Sequence, residues 1–388
     1  MKEVYIFDAL RTPITSLLGA LSSLSAPQLA AELIKKIIQR NNIDKFSIDE
    51  VIIGNVLSAG IGQSPARQAA IYGGLPVSVR TMTINKVCGS GLKSVMLAEQ
   101  AIKCGDADII IAGGMESMSN APFLLKNIRN GIKFGHQTLF DSMLSDGLTD
   151  AYNNIHMGNC AEIVAREKGI TREDQDAYAI ESYRRALKAQ EEGLFDEEIL
   201  KIETKTGLVS EDEEPKKVNF EKIPQLKPVF EKEGTITAAN ASKLNDGAAI
   251  ILVAGEDALK KYNLRPIARI VSQAANAVEP IKFAIAPIDA IKNSLLKANL
   301  KIEDIDLFEI NEAFSLVVIA AMRELGLDHN RVNVNGGAVS LGHPIGASGA
   351  RVLTTLLYEL KRRKAKYGLA SLCIGGGEAV SLIVENLA

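Results

Sequence analysis

Asn85-Lys86-Val87-Cys88-Gly89-Ser90-Gly91-Leu92-Lys93-Ser94-Val95 is the stretch from which the rest of the chain is read. A strand-like run over 82–84 feeds into it. A helical run continues from Leu92 to Cys104, with Gly105 placed to end the helix. The pattern therefore sets a cysteine at a strand-to-helix turn, where free backbone N–H groups point at whatever lies on the helix N-terminus. A thiolate is favoured there by the helix dipole, so the Cys88 pKa is expected to fall. Gly89 and Gly91 carry no Cβ, which predicts close approach by a substrate. The same residues also describe a small buried cysteine in a tight turn. A catalytic reading needs a base and an oxyanion site from elsewhere in the chain.

Outward from this turn, apolar runs recur at regular intervals. Val4 to Phe7, Val51 to Ile53 and Ile109-Ile110-Ile111-Ala112 each read as strands apolar on both faces, with helical patterns between them. Ser25 and Pro27 mark one helix start, and Leu29, Ile34, Ile37 and Ile38 give that helix an apolar face. Such alternation predicts an α/β fold with a mostly parallel sheet covered on each side. A chain of 388 residues implies more than one lobe. Its 47% hydrophobic and 23% charged content is that of a well-buried globular protein. A net charge of −3 without a long basic run argues against a nucleic-acid partner. No apolar run reaches membrane-spanning length, so no membrane partner is expected. Four cysteines without a C-x-x-C pair suggest neither a disulfide scaffold nor a metal site. The N-terminus reads as a strand carrying acids rather than a signal peptide, and Glu385-Asn386-Leu387-Ala388 is not a peroxisomal tripeptide. These signs together predict a cytoplasmic protein.

From about Glu116 to Ser242 the texture changes to Met, Asn, Gly and charge, which reads as a large insertion. It holds one clear helix, Thr171 to Glu192, opened by a Thr-x-x-Asp capping pattern. After Asp246-Gly247 the strand–helix alternation resumes and echoes the first half. Glu50-Val51-Ile52-Ile53-Gly54-Asn55 is answered by Asp306-Leu307-Phe308-Glu309-Ile310-Asn311, and Ile109 to Gly114 by Leu369 to Gly376. The expected organisation is a first lobe over 1–117, an insertion over 118–245 returning to that lobe near its end, and a second lobe over 246–388. Two such lobes packed face to face bring their Gly-rich turns to one cleft.

Three turns of the second lobe carry chemistry: Asn311-Glu312-Ala313-Phe314, Gly342-His343-Pro344 and Cys373-Ile374-Gly375-Gly376-Gly377. A histidine among glycines before a helix suits a general base for a cysteine in the facing lobe, although it can equally satisfy its own turn. Two cysteines, one histidine and one asparagine, all at Gly-rich element ends in equivalent lobes, are hard to obtain from packing needs alone.

Together, in this order, the four motifs resemble the active-site motifs of the thiolase family. Ala112 to Ser119, Asp146 to Ala151, His156-Met157-Gly158, Asn240-Ala241-Ser242 and Asn245-Asp246-Gly247 agree as well, so the resemblance covers nearly the whole chain. His156-Met157-Gly158 is closer to the acetoacetyl-CoA thiolases than to the long-chain 3-ketoacyl-CoA thiolases. The resemblance implies duplicated βαβαβαββ lobes in a layered α/β/α/β/α sandwich, with the insertion as a CoA-binding loop domain. It implies acetyl-CoA C-acetyltransferase activity: condensation of two acetyl-CoA to acetoacetyl-CoA and CoA through an acetyl-cysteine, and thiolysis in reverse. The CoA thioesters are substrates, and no cofactor or metal is expected. It further implies Cys88 as nucleophile, His343 as its base, Cys373 as the second acid/base, and Asn311, Gly375 and the Cys88 N–H around the oxyanions. Ser242 is implied as the pantetheine contact, Leu148, His156 and Met157 as the wall of the acyl end, and Lys217 as the contact to the nucleotide end. A homo-oligomer, a dimer of dimers, is implied too.

The chain departs from the family's usual wording at Glu213 to Lys217, at Glu378-Ala379, at Ala238-Ala239, and at Lys243, where a glycine often sits. The last two sites border the pantetheine tunnel. A β-ketoacyl synthase-like enzyme shares the duplicated fold, but the single active-site histidine with a second cysteine argues against it. A broader-range 3-ketoacyl-CoA thiolase is the alternative within the family. A non-catalytic CoA- or lipid-binding relative is expected to have lost one of the four motifs, and none is lost. A dinucleotide-binding reading of Gly89-Ser90-Gly91 lacks the third glycine and the following acid.

Overall fold

The computed structural model describes residues 2–262 and 264–388. The first half runs β1 (Val4–Arg11), α1 (Ala26–Asn41), β2 (Glu50–Gly54), α2 (Pro65–Tyr72), β3 (Arg80–Ile84), α3 (Ser90–Cys104) and β4 (Ile109–Ser117). The insertion follows, with α4 (Met157–Glu167) and α5 (Arg172–Glu191) as its main helices, and β5 (Asn245–Gly255) returns to the sheet. The second half comprises β6 (Ala268–Ala277), α6 (Ala286–Ala298), β7 (Leu307–Ile310), α7 (Ser315–Leu325), the one-turn α8 (Ala338–Leu341), α9 (Ser348–Arg363), β8 (Tyr367–Ile374) and β9 (Glu378–Asn386).

The strands form one path in the order β7-β8-β9-β6-β1-β5-β4-β2-β3. Its two ends repeat each other. In one, β2 and β4 are parallel while β5 and β1 add antiparallel. In the other, β7 and β8 are parallel while β9 and β6 add antiparallel. Among the described residues the two half-sheets pair where Tyr5 faces Arg269 and Ile6 faces Ala268. The duplication expected from the sequence is therefore present. The counterpart of β3 shrinks to a single parallel bridge, Phe308 to Val332.

Burial divides along the strand period. Ile109 and Ile111 pack outward with Leu33, Ile34 and Ile37 of α1, whereas Ile110 and Ala112 pack inward with Leu92 and Val95 of α3 and Leu353 of α9. Side chains alternate faces along a strand, so an unbroken apolar run feeds two cores. On the far side, Ile291 of α6 and Val317 of α7 join Leu369 and Ile383 in a third core. The layers are thus outer helices, half-sheet, α3 with α9, half-sheet, outer helices.

One boundary falls elsewhere than expected. β5 stood at the head of the 246–388 lobe in the sequence reading, yet it pairs between β4 and β1 and closes the first half at Gly255. Its run Ala248 to Ala254 needs cover on both faces, and it finds that cover in the interior of the first half-sheet. The insertion is tied down by the buried Arg11 of β1, which donates to Glu198 at 2.6 Å and to Asp212 at 2.7 Å.

Candidate active site

Cys88 stands between the end of β3 and the start of α3, as its glycines and the flanking periodicities predicted. The turn is strained: Val87, a β-branched residue, has φ +45°. Three hydrogen bonds hold it there. Val87 N–H donates to Asn85 Oδ1 at 2.9 Å, Lys86 N–H to Ser90 Oγ at 2.8 Å, and Ser90 Oγ–H to the Val87 carbonyl at 2.7 Å. The glycines serve the protein rather than a ligand. A Cβ on Gly89 would meet Ile374 Cδ1 at 2.4 Å, and one on Gly91 would meet the Ala350 nitrogen at 2.7 Å. They let α3 touch β8 and α9 backbone to side chain and backbone to backbone, which corrects the expectation that they clear space for substrate.

The Cys88 thiol is pushed up to about 11, first by burial and slightly by Glu116, against the Gly375 N–H and its own N–H, which favour the thiolate. The expected fall does not occur, because loss of solvent outweighs the helix terminus and no cation stands beside it. His343 explains the missing cation. Burial, with Arg351 adding to it, holds its imidazole down to about 3, so it is neutral. Its Nδ1 lies 2.5 Å from Ser348 Oγ, whose hydroxyl donates to the Pro344 carbonyl at 2.9 Å. Ser348 therefore accepts the Nδ1 proton, which leaves Nε2 as a bare acceptor. That Nε2 is buried and has no partner among the described residues. The His343 N–H donates to Asn245 Oδ1 at 2.8 Å, and Gly342, at φ +112°, packs against the same Asn245.

Asn311 follows β7, its N–H held by the Ser371 carbonyl at 2.9 Å. Both atoms of its side-chain amide are buried without a partner among the described residues. The adjacent Glu312 fixes the turn by accepting from Tyr178, Ser182, Asn333 and the Val339 N–H at 2.8–3.0 Å. Cys373, on β8, is fully buried, and its thiol is raised well above the ordinary range by burial and by Cys88 nearby. Across the lobes, Glu116 accepts from Asn55 Nδ2 at 2.7 Å, Val56 and Leu57 N–H at 3.1 Å, and Gly346 N–H at 2.9 Å. Burial raises this carboxyl to about 7.

A cavity of about 390 Å³ opens over these turns. Cys88, His343 and Gly375 line its floor, and Leu148, His156, Met157 and Ser242 line its wall. Asn311 and Cys373 are buried and are not among its lining residues. Lys217 is not part of it either; it is more than half exposed and pairs with Ser16, Glu213 and Glu214. The insertion supplies the wall through His156, whose Nδ1 caps α4 by accepting the Gly158 N–H at 3.0 Å. Phe230 stacks on His156 at 4.7 Å, and a Cβ on Gly158 would strike it at 2.3 Å. Phe230 and Phe283, which sequence reasoning missed, both pack edge-on to Phe314 and complete the apolar end. Glu116 and Asn245 sat inside quoted motifs without a role, and Ser348 lies just beyond the quoted His343 turn; a polar residue within two positions of a glycine was the available signal.

Comparison with known proteins identifies the family. Residues 4–257 match the family description "Thiolase, N-terminal domain", and 264–386 match "Thiolase, C-terminal domain". The chain is 50% identical to an acetyl-CoA acetyltransferase of Pseudomonas aeruginosa, with all of both chains covered. It is 51% identical to the mitochondrial acetyl-CoA acetyltransferase of Homo sapiens, covering all of this chain and 91% of that protein. Among solved structures, the Acat5 thiolase from Ascaris suum in complex with coenzyme A superposes with a TM-score of 0.96 at 47% identity over the whole of both chains. With a duplicated five-layer fold and these matches along its full length, the chain belongs to the thiolase family.

Proposed function

We propose that the chain is an acetyl-CoA C-acetyltransferase that joins two acetyl-CoA into acetoacetyl-CoA and CoA, and runs the same path backwards in thiolysis. The observation that carries the assignment of roles is the buried, unpartnered Nε2 of His343 on the same cavity floor as Cys88. The Cys88 proton passes to that nitrogen while the sulfur attacks the thioester carbon. The C–S bond to CoA breaks, and the departing thiolate takes the Cys373 proton. Cys373, now a thiolate and a strong base in its buried site, removes a methyl proton from a second acetyl-CoA. His343 Nε2–H and a water on Asn311 stabilise the enolate oxygen, and the N–H groups of Cys88 and Gly375 stabilise the tetrahedral oxyanion. The enolate carbon attacks the acetyl-cysteine, the C–S bond to Cys88 breaks, and Cys88 recovers its proton from His343. Protons and thiols balance without a cofactor.

Ser242 serves the pantetheine arm, and Lys217 serves the nucleotide end outside the cavity. Leu148, His156, Met157 and Phe230 close the acyl end, which supports a short chain. We place the protein in the cytoplasm, alongside relatives whose names place them in mitochondria; no described helix is long and apolar enough to cross a membrane. We infer a dimer of dimers from the exposed apolar side chains of Phe123, Phe134 and Leu139 on the insertion. The test is acetyl transfer from labelled acetyl-CoA. Cys88→Ala is expected to lose it, and Cys373→Ala to keep a labelled Cys88 but make no acetoacetyl-CoA. Equal loss in both variants would refute the division of labour. Thiolysis of acetoacetyl-CoA is expected to exceed that of 3-ketooctanoyl-CoA in kcat/KM by about tenfold or more, since each misplaced methylene costs about 1–3 kcal/mol.

A further inference from the structure

Lys243 is a half-buried, charged side chain lining the cavity that the steps above leave unused. Its Nζ donates to the Ala241 carbonyl at 2.7 Å and to the Val339 carbonyl at 3.3 Å, and stands 5.7 Å from the centroid of the Tyr183 ring. These partners belong to two different segments. Ala241 immediately precedes Ser242. Val339 lies in α8, four residues before His343. Two carbonyl dipoles and a π face converging on one point make a cation site, and this chain fills it with its own ammonium. The acids facing it are Glu214 and Glu312; burial lowers its pKa to about 8 against their attraction, so the ammonium is charged at neutral pH.

We propose that Lys243 is a positioning residue whose ammonium ties the Ser242 loop to the segment carrying His343, fixing the pantetheine contact against the base. A long apolar side chain of similar volume fills the same space but takes away the donor that the Ala241 and Val339 carbonyls share. A second hydrogen bond joins the same two segments, from the His343 N–H to Asn245 Oδ1, and the Ser242 N–H is held by the Ala313 carbonyl; the Lys243 tie is the one that reaches the residue immediately before Ser242. The proposal rests on the acyl-CoA reading of the cavity.

The full chain is compared with Lys243→Met, Lys243→Arg and Lys243→Ala. A hydrogen bond from a charged donor predicts that Lys243→Met loses about 10- to 100-fold in kcat/KM for acetyl-CoA, mostly through KM, and that Lys243→Arg stays within about threefold of the parent. Ammonium chloride is expected to restore part of the activity of Lys243→Ala, and sodium chloride at equal concentration is not. Amide hydrogen exchange over 241–245 and 339–343 is expected to quicken in Lys243→Met and not in Lys243→Arg, whether or not the chain turns over acetyl-CoA. This arm separates failure of the clamp from failure of the functional reading. If Lys243→Ala does not fold, the Met and Arg variants decide. Unchanged KM and unchanged exchange in Lys243→Met, or a Lys243→Arg variant no better than Lys243→Met, would overturn the proposal and leave Lys243 as a filler of tunnel width.

Discussion

At the scale of single residues, the resting site holds a neutral thiol and a neutral imidazole lining one cavity, not an ion pair. With Cys88 raised to about 11 and His343 lowered to about 3, neither changes charge near neutral pH. Alkylation of Cys88 by iodoacetamide then draws on proton transfer to Nε2 as the bond forms. The rate is expected to be flat across the middle of the pH range and to drop by about a hundredfold in His343→Asn, the lower end of what a positioned base supplies. Mass spectrometry of the Cys88 peptide measures this, with the exposed Cys104 as internal reference. An unchanged rate in the variant would remove His343 as the base. Stability carries the same signature. The unfolded chain takes a proton on this imidazole near pH 6.5, whereas the folded chain holds it off until about 3, so the unfolded state binds more protons in between. Stability from this group is full above 6.5 and is lost as pH falls toward 3. Urea midpoints of parent and His343→Asn measured from pH 7 to 4 are expected to show the steeper acid loss in the parent.

At the scale of elements, the glycine-rich turns were legible in the sequence and their purpose was not. Cys88 and His343 announce themselves beside a glycine, and Asn311 and Cys373 at the end of an apolar run, all local patterns. What Gly89, Gly91 and Gly349 are for depends on a partner far along the chain. A Cβ on Gly349 would sit 2.2 Å from the Leu92 nitrogen, so the helix starts of α3 and α9 touch backbone to backbone. Phe230 was illegible for the same reason: nothing near it in sequence says that it lies on His156. The Cys88 pKa was misread because the helix terminus is visible in a sequence and the depth of burial is not. Gly91→Ala is expected to destabilise by about 1–3 kcal/mol or to prevent folding, because overpacking at this contact has backbone on both sides. A melting temperature within a degree of the parent would show that the helices can part without loss.

At the scale of the whole molecule, the order of strands was read correctly as a duplication, while β5 was assigned to the wrong side of the boundary. An apolar strand states that it is buried, not in which half. The narrow join between the half-sheets has a consequence for how such a chain is divided. Among the described residues the half-sheets pair at two facing residue pairs, with one separate bridge from Ala241 to Phe314, yet α3 and α9 lie in one common core, so each half is the other's missing wall. Neither half is expected to fold independently, although each looks like a fold in topology. Severed in the connection between Gly255 and Ala268, the two fragments are expected to be insoluble apart and to recover acetoacetyl-CoA cleavage when expressed together. A soluble, cooperatively melting 2–262 fragment on its own would show that the ancestor of the repeat needed no twin; the opposite result implies that the founding single-copy protein was obliged to pair with itself, and that fusion of two copies turned a dimer contact into the interior of one chain.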